Sequence, residues 1–295
     1  MVATEPRGRS GARHTSPHSH RGLPAVFAAC LGISVAACAA PARGESSGAA
    51  AGADVCATFD HEHAAWTTLL ARYVRDGGVD YAGLKRSGGP ALPALDSYLR
   101  SLESVCRGHY DSWTKDQKLA FWINAYNAYT VKLILNHYPL TSIRSIGLLP
   151  GAAFRESFIP LRSLRGKVLS LNDIEHEILR KEFREPRIHF AINCASKSCP
   201  ELRNEAYRAV RLDAQLTQAA RGFVQDPTKN RFDAESQTLR LSSIFDWFRE
   251  DFERSARTLP AFVARYAEPT TASALTSGSN VRVEFLDYDW SLNGR

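Results

Sequence analysis

Apolar residues in the first half of the chain recur with the three- and four-residue spacing of amphipathic helices. One set comprises Phe59, Trp66, Leu69, Leu70 and Tyr73, and a second comprises Leu92, Leu95, Leu99 and Leu102. Between the two helices that these sets predict, Gly77-Gly78 followed by Val79-Asp80-Tyr81 indicates a turn and a short extended piece.

A third predicted helix is apolar on nearly every side. It opens with the capping-box sequence Thr114-Lys115-Asp116-Gln117 and must end before Pro139. The residues from Leu119 to Leu135 include Phe121, Trp122, Ile123, Tyr126 and Tyr129. A helix without a polar face is expected to be buried, so this segment should form the centre of the core.

Strand patterns appear in the second half of the chain. The alternation in Arg187 to Asn193 predicts a strand, Arg231 to Asp233 with Thr238 to Leu241 predicts a hairpin, and Val281 to Leu286 predicts a last strand. Helices are expected after Asn172, around Leu212 to Phe223 and from Ser243. The pattern predicts an extended segment for Lys167 to Leu171 and a loop for Ala267 to Asn280. This order predicts an α+β fold with a buried central helix and other helices packed on a small, largely antiparallel sheet.

The N-terminus has the order of an export signal. Four arginines precede an apolar run from Leu23 to Ala37, which is shorter than the roughly 20 residues of a membrane span. Val35-Ala36-Ala37-Cys38 resembles the lipobox of bacterial lipoproteins, although cleavage by a simple signal peptidase is an alternative. We therefore predict a signal peptide over 1–37, a flexible tether over 38–55 and one globular domain over 56–295. The expected location is the periplasm or the outer membrane, with a lipid anchor at Cys38.

Charge and motifs exclude several classes of site. Without residues 1–37 the formal net charge of +6 falls to +3, because four arginines and Glu5 are removed, and the remaining Lys and Arg are scattered among acids. This pattern does not favour nucleic-acid binding. There is no phosphate loop, dinucleotide fingerprint or Cys-x-x-Cys, and His61 and His63 would face different sides of a helix. We expect no cofactor and no metal.

Several unusual motifs follow one another in a recognisable order. They are Phe121-Trp122-Ile123-Asn124-Ala125-Tyr126-Asn127, Leu169 to His176, His189 to Pro200, and Phe245-Asp246-Trp247-Phe248 with Asp251-Phe252. Over roughly residues 60 to 255 the chain resembles the family called domain of unknown function 547. The resemblance implies where the motifs lie in a shared fold, but it implies no reaction.

The four cysteines of the predicted domain are Cys56, Cys106, Cys194 and Cys199. An exported protein can oxidise them, and four cysteines allow three pairings. A Cys56–Cys106 bond closes a loop of about 50 residues and would stabilise by about 4 kcal/mol, against about 2 kcal/mol for Cys194–Cys199. We therefore expect the longer pair to be the structural disulfide.

The shorter pair is the chemical candidate. Ser198-Cys199-Pro200-Glu201 has capping-box spacing, which would place Cys199 in the first turn of a helix and favour its thiolate. Cys194 would lie just beyond a strand, where it could act as a nucleophile. The alternative is a small structural disulfide or two inert thiols.

Two histidines could serve as the base for such a thiol, namely His176 and His189. Glu175, Asn124 or Asn127 could orient the imidazole, and Asn193 and Ser198 lie in the same motifs and could contact a substrate. Structural roles are the alternative for each of these residues: a capping box for Glu175, packing for the histidines and backbone hydrogen bonds for Asn124 and Asn127.

Three functions remain open. The first is a cysteine-dependent hydrolase or acyl transferase acting on peptide-like bonds of an envelope protein or peptide, with Cys194 as nucleophile. The second is a non-catalytic binding or scaffold domain. The third is a thiol–disulfide redox protein that cycles Cys194 and Cys199. The oligomeric state does not follow from the sequence.

Overall fold

The computed structural model describes residues 58–86, 89–277 and 280–295. The predicted signal peptide, the tether, Cys38 and Cys56 lie outside these residues, so the lipid anchor and the Cys56–Cys106 pair stay predictions. None of the described helices is long and apolar enough to cross a membrane.

Helices dominate the described part, and the α+β class predicted from the sequence is confirmed. The α-helices are α1 Ala64–Tyr73, α2 Tyr81–Lys85, α3 Ala91–Glu103, α4 Arg107–Ser112, α5 Lys115–His137, α6 Ala152–Arg155, α7 Arg162–Arg165, α8 Leu212–Gln225, α9 Ser243–Trp247, α10 Arg249–Ala256, α11 Leu259–Ala264 and α12 Pro269–Thr276. A π-helix spans Asp173–Phe183, and 3₁₀ helices span Ile143–Ser145, Pro186–Phe190 and Ala209–Arg211. The strands are β1 Val74–Arg75, β2 Gly78–Val79, β3 Arg231–Asp233, β4 Thr238–Ser242 and β5 Arg282–Leu286.

Helix α5 is the centre of the larger core, as its sequence predicts. The Thr114 hydroxyl accepts a hydrogen bond from the backbone N–H of Gln117, and the Gln117 side chain accepts one from the N–H of Thr114. This reciprocal cap starts the helix, and all residues from Leu119 to Val131 are buried. The helix packs against α3 and the π-helix, so its environment is mainly helical.

A two-residue turn joins β1 and β2 at Asp76-Gly77. Val74 pairs with Val79 and Arg75 with Gly78, while Asp76 and Gly77 have φ of 50° and 71°. Two positive φ values match the right-handed twist of the flanking strands, and Asp-Gly is a preferred pair for such a turn. A Cβ atom at Gly77 would also come within 2.6 Å of Glu201 Cγ.

The second core contains phenylalanines packed beside the three-stranded sheet β3-β4-β5, among them Phe190, Phe223, Phe245, Phe252 and Phe262. β3 pairs antiparallel with β4, which confirms the predicted hairpin. β5 pairs parallel with β4, in the register Leu239 with Val283 and Leu241 with Phe285. The predicted last strand is therefore present, but its direction is parallel because α9 to α12 carry the chain back between β4 and β5.

Several local predictions were wrong. Residues 187–193 do not form a strand, because Pro186 begins a 3₁₀ helix in which the Glu185 side chain accepts a hydrogen bond from the N–H of Arg187. Within Lys167 to Leu171 only Leu169 makes a bridge, to Ile159. The helix after it is capped by Ser170 rather than Asn172, because the Ser170 hydroxyl accepts from the N–H of Asp173 and the Asp173 carboxylate accepts from the N–H of Ser170.

Two further corrections concern helix boundaries. The predicted loop 267–280 contains α12, whose first residue is Pro269, a favoured residue at a helix start. No helix begins at Ser198, so Cys199 does not lie in a first helical turn.

Candidate functional site

The loop that carries the two cysteines is held in place by the buried helix α5. The Asn127 side chain accepts a hydrogen bond from the N–H of Asn193 at 2.8 Å and donates one to the carbonyl of Ala191 at 2.9 Å. The Asn193 side chain in turn accepts from the N–H of Ala195 and donates to the carbonyl of Pro200. The two amides bridge the loop at both ends and fix the backbone around Cys194.

Asn124 clamps a different segment. Its side chain accepts from the N–H of Tyr207 at 3.0 Å and donates to the carbonyl of the same residue at 2.7 Å. Asn124 therefore contacts the chain beyond the cysteine loop. It satisfies the backbone N–H and carbonyl of Tyr207, which would destabilise the fold if they were buried without hydrogen-bond partners.

The C-terminal segment covers the outer side of the cysteine loop. Backbone N–H groups of Lys197 and Ser198 donate to the carbonyls of Ser291 and Asp289, and the Ser198 hydroxyl accepts from the N–H of Asp289 at 2.8 Å. Ser198 is thus engaged with residue 289. This contact takes the place of the helix cap that the sequence predicts for Ser198.

Cys194 and Cys199 form a disulfide. Both are almost fully buried, and the Tyr288 hydroxyl lies 3.3 Å from the Cys194 sulfur and 3.2 Å from the Cys199 sulfur. The Ser196 hydroxyl lies 3.0 Å from the Cys194 sulfur. Burial raises the pKa of Tyr288 well above its usual range, so its hydroxyl stays protonated and can donate to a sulfur.

A small internal cavity brings together four of the residues that the sequence singles out, Glu175, His189, Cys194 and Cys199. Tyr126, Ile192, Pro200 and Ile244 complete its wall. The cavity has a volume of about 10 Å³, which is room for about one water molecule.

His189 is the histidine of this cavity. Its Nε2 lies 2.9 Å from Oδ2 of Asp251, and its ring stacks on Phe248 with the centroids 3.9 Å apart. Its other nitrogen, Nδ1, is buried and has no hydrogen-bond partner among the described residues. Burial lowers the pKa of His189 below its ordinary value of 6.5, although the hydrogen bond to Asp251 acts in the opposite direction. The ring is therefore neutral at pH 7.

Asp251 is the acid of the site. Burial alone would raise the pKa of this carboxyl group, but the hydrogen bonds from His189 and Arg180 outweigh that effect and hold the pKa well below its usual range. Arg180 Nε donates to Oδ2 at 2.5 Å, and Arg254 Nη1 donates to Oδ1 at 3.2 Å. Asp251 is therefore a carboxylate that fixes the ring of His189.

His176 contacts Arg180, which also pairs with Asp251. Its Nδ1 accepts a hydrogen bond from Arg180 Nη1 at 3.1 Å, and burial lowers its pKa below 6.5. It does not line the cavity with Cys194. Of the two histidines considered from the sequence, His189 is the one that the fold places beside the cysteines.

Glu175 enters the cavity from the π-helix and is almost fully buried. Its Oε2 accepts a long hydrogen bond of 3.4 Å from the Tyr126 hydroxyl, and its Oε1 has no hydrogen-bond partner among the described residues. Glu175 and His189 thus each have a buried polar atom that no described residue hydrogen-bonds.

A second, more open cleft also reaches the disulfide. It has a volume of about 170 Å³ and is lined by Asn193, Ser196, Cys199, the β1–β2 turn and the C-terminal residues Asn293 and Gly294. Cys199 lines both the cleft and the inner cavity, whereas Cys194 lines the inner cavity. An attacking group from solvent would therefore meet Cys199 first.

Residues 110–224 match the family model described as "Protein of unknown function, DUF547". This match assigns residues 110–224 to the DUF547 family. No curated protein and no solved structure matches the chain.

The DUF547 match contains Asn124, Asn127, Glu175, His189 and both cysteines, whereas Asp251 and Tyr288 lie beyond its end. These two are the site residues that sequence reasoning missed. Asp251 stands in the motif Asp251-Phe252, which was the available signal, but the sequence contains nothing that pairs it with a histidine 62 positions earlier.

The described residues contain no group of three or more His, Cys, Asp or Glu arranged to hold a metal ion. His63 is buried, and its Nδ1 lies 2.7 Å from the Tyr98 hydroxyl. His61 packs edge-on against Trp113. The two histidines of the His61-Glu62-His63 sequence therefore have separate partners.

Proposed function

We propose that this DUF547 domain is a cysteine-dependent enzyme, a hydrolase or acyl transferase acting on peptide-like bonds. The observation that carries the proposal is the placement of His189. One of its nitrogens is held by a carboxylate, the other has no hydrogen-bond partner among the described residues, and the ring lines the same cavity as Cys194. A thiol, an imidazole and an orienting acid are the parts that activate a cysteine nucleophile.

The proposed chemistry begins once two molecules of an external thiol have reduced the Cys194–Cys199 disulfide to two thiols and have themselves become a disulfide. His189 accepts the proton of the Cys194 thiol, and the thiolate attacks the substrate carbonyl carbon. Collapse of the tetrahedral intermediate breaks the bond to the leaving amine, which takes the proton from the imidazolium, and leaves a thioester on Cys194. Water or an acceptor amine then attacks the thioester, and the sulfur departs as the thiolate. Asp251 holds the ring and stabilises its cationic form during both steps.

A second candidate function is thiol–disulfide exchange, which the Cys194–Cys199 disulfide favours. A substrate thiolate would attack the Cys199 sulfur from the open cleft, forming a mixed disulfide and releasing Cys194 as a thiolate. A second substrate thiol would resolve the mixed disulfide, so that two substrate thiols become one disulfide and the pair becomes two thiols. The hydrolase needs only Cys194, whereas the exchange needs both cysteines.

The test of the enzyme proposal is the rate at which iodoacetamide alkylates Cys194, followed against pH in the full chain carrying Cys199→Ser. Peptide mass analysis assigns the modified residue. A thiol activated by His189 is expected to show an inflection below the ordinary thiol pKa of about 8.5. His189→Gln should move that inflection up to or above the ordinary value, whereas His109→Gln, a change at an exposed histidine of α4, should leave it in place.

An inflection that His189→Gln does not move would contradict the proposed base. The exchange candidate is tested with unmodified protein in glutathione buffers of graded redox potential. If Cys194 and Cys199 interconvert there between dithiol and disulfide while Cys199→Ser abolishes all activity, the exchange function is favoured instead.

A further inference from the structure

Most large apolar side chains of the described residues are at least partly buried, and the exposed ones are Leu148, Leu149 and Val210. Leu148 has a relative exposure of 101% and Leu149 of 68%. The two are adjacent at the tip of the loop between the 3₁₀ helix Ile143–Ser145 and α6. Single exposed apolar residues are common on protein surfaces, but an adjacent pair that is this exposed calls for a partner.

The loop is held in its projecting form by its own contacts. Gly147 and Gly151 on either side of the tip have φ of 79° and 71°, which glycine adopts without strain. The N–H of Ala152 donates to the carbonyl of Leu149, and Arg155 donates to the carbonyl of Pro150 at 2.6 Å. The exposure of the two leucines is therefore part of an ordered turn.

The chain on either side of the tip is mostly basic, and it contacts an aromatic side chain. Arg144 and Arg155 are exposed, and neither forms an ion pair with another described residue. Glu156 is the only acidic residue between Tyr138 and Arg162. The Arg144 guanidinium lies 5.3 Å from the ring centre of Trp290, which is itself half-buried against Phe154.

We propose that the loop 147–151 docks the domain on the surface of an anionic lipid bilayer. Leu148 and Leu149 enter the boundary between headgroups and acyl chains, Arg144 and Arg155 face lipid phosphates, and Trp290 lies at headgroup level, as tryptophan does at membrane interfaces. A convex two-leucine tip suits a bilayer because lipids adapt to its shape. A protein partner would need a complementary surface of about 800 Å².

Docking by this loop would bring the cysteine site close to the bilayer. The Ser142 hydroxyl donates to the carbonyl of Trp290, the Trp290 ring packs on Tyr288 at 4.6 Å, and Tyr288 contacts both sulfurs. A series of three contacts therefore links the base of the loop to the sulfurs of the site. The docking inference does not depend on the chemistry proposed for Cys194.

The test is co-sedimentation of the full chain with vesicles of phosphatidylcholine and phosphatidylglycerol, in a Cys38→Ser background that excludes acylation. The double variant Leu148→Ser with Leu149→Ser should lower the partition coefficient at least tenfold, since tenfold corresponds to about 1.4 kcal/mol and burial of one leucine side chain contributes about that much or more. Val210→Ser, at an exposed valine of the 3₁₀ helix Ala209–Arg211, is the matched control and should have no effect. Thermal unfolding should be unchanged in both.

A second measurement isolates the loop from any contribution of the N-terminal apolar run. Leu149→Trp should add fluorescence that lipids brominated on the acyl chain quench, whereas the tryptophan added by Val210→Trp should escape quenching. Pure phosphatidylcholine vesicles should bind the chain more weakly than the anionic ones.

Equal sedimentation of the parent and the double-serine variant, or equal quenching at positions 149 and 210, would overturn the inference. A concentration-dependent dimer that the double-serine variant loses, with no change in vesicle binding, would overturn it in favour of contact between two copies of the chain.

Discussion

Replacing Asp251 by Asn removes the charge at the centre of the His189–Asp251–Arg180 network while keeping the shape of the side chain. The carboxylate accepts three hydrogen bonds, from His189, Arg180 and Arg254, and is itself largely buried. The amide oxygen that the substitution leaves in its place could still accept one of them, but without a negative charge.

The expected loss in the free energy of unfolding follows from these three contacts. The bond from Arg180, whose side chain is 24% exposed, is charge-assisted, and such bonds contribute about 1.5–3 kcal/mol. The bond to the buried His189 weakens to a neutral one, at a cost of about 1 kcal/mol. Arg254 is 52% exposed and should contribute little. We therefore expect Asp251→Asn to cost about 2–4 kcal/mol.

The assay is urea unfolding at pH 7, with Asp246→Asn as the matched control. Asp246 pairs with Arg249 on the surface, where both side chains are about half exposed, so its replacement should cost less than about 0.5 kcal/mol. Because the pKa of Asp251 is depressed, its contribution is present above the unfolded value of about 3.9 and is lost as the pH falls through the lower folded value. The difference between wild type and Asp251→Asn should hold from pH 7 to about pH 4. A loss no larger than that of Asp246→Asn would refute this account of the network.

Three further predictions concern stability. Burial lowers the pKa of His63 to about 3, so the unfolded chain binds the proton first as the pH falls below 6.5. In urea unfolding, the free energy of unfolding should therefore fall by up to about 1.4 kcal/mol per pH unit between pH 6.5 and pH 3. His63→Gln should remove this part of the slope, and an unchanged slope would disprove the prediction. Asn127→Ala leaves an N–H and a carbonyl of the cysteine loop unsatisfied and should cost about 2–4 kcal/mol in the same assay. Asn136→Ala, at an exposed position on the same helix, should be nearly neutral. Equal effects of the two changes would show that the loop does not need the hydrogen bonds of Asn127. Cys199→Ala opens the short disulfide loop and should lower the free energy of unfolding by about 2 kcal/mol, and a gain in stability would argue against a stabilising crosslink.

The elements that the sequence predicted correctly are those with a local signal. Helix α5 combines a capping box with an apolar run, and its burial follows from those residues alone. The β3–β4 hairpin likewise shows in its alternation. Such patterns act within a few residues, and no distant contact overrides them in these two segments.

The segment 187–193 shows why alternation can mislead. Every residue from Ile188 to Ser196 is buried, so the polar positions in the pattern do not face solvent. His189 and Asn193 are polar because they have buried partners, Asp251 and the carbonyl of Pro200. The alternating pattern therefore reflects the chemistry of the site rather than a strand with one solvent-exposed face.

Tertiary contacts also determine which residues form the candidate site. Cys194, His189 and Glu175 were identified from their motifs, and the fold brings them to one cavity. Asp251 and Tyr288 were missed because each comes from a distant part of the chain, and Ser198 does not cap a helix because the C-terminal segment engages its hydroxyl. Pairings of this kind depend on how α10 and the last residues pack, which spacing along the sequence does not encode.

The central claim, that Cys194 is a nucleophile served by His189, is tested most directly by acylation of the sulfur. The full chain with Cys199→Ser is incubated with p-nitrophenyl acetate, and the acetylated residue is located by peptide mass analysis. We expect release of p-nitrophenol together with one acetyl group on Cys194, and a rate at least about tenfold lower when His189→Gln is added, since general bases contribute about 10²–10⁴. If Cys194 stays unmodified, or if His189→Gln leaves the rate unchanged, the claim is contradicted.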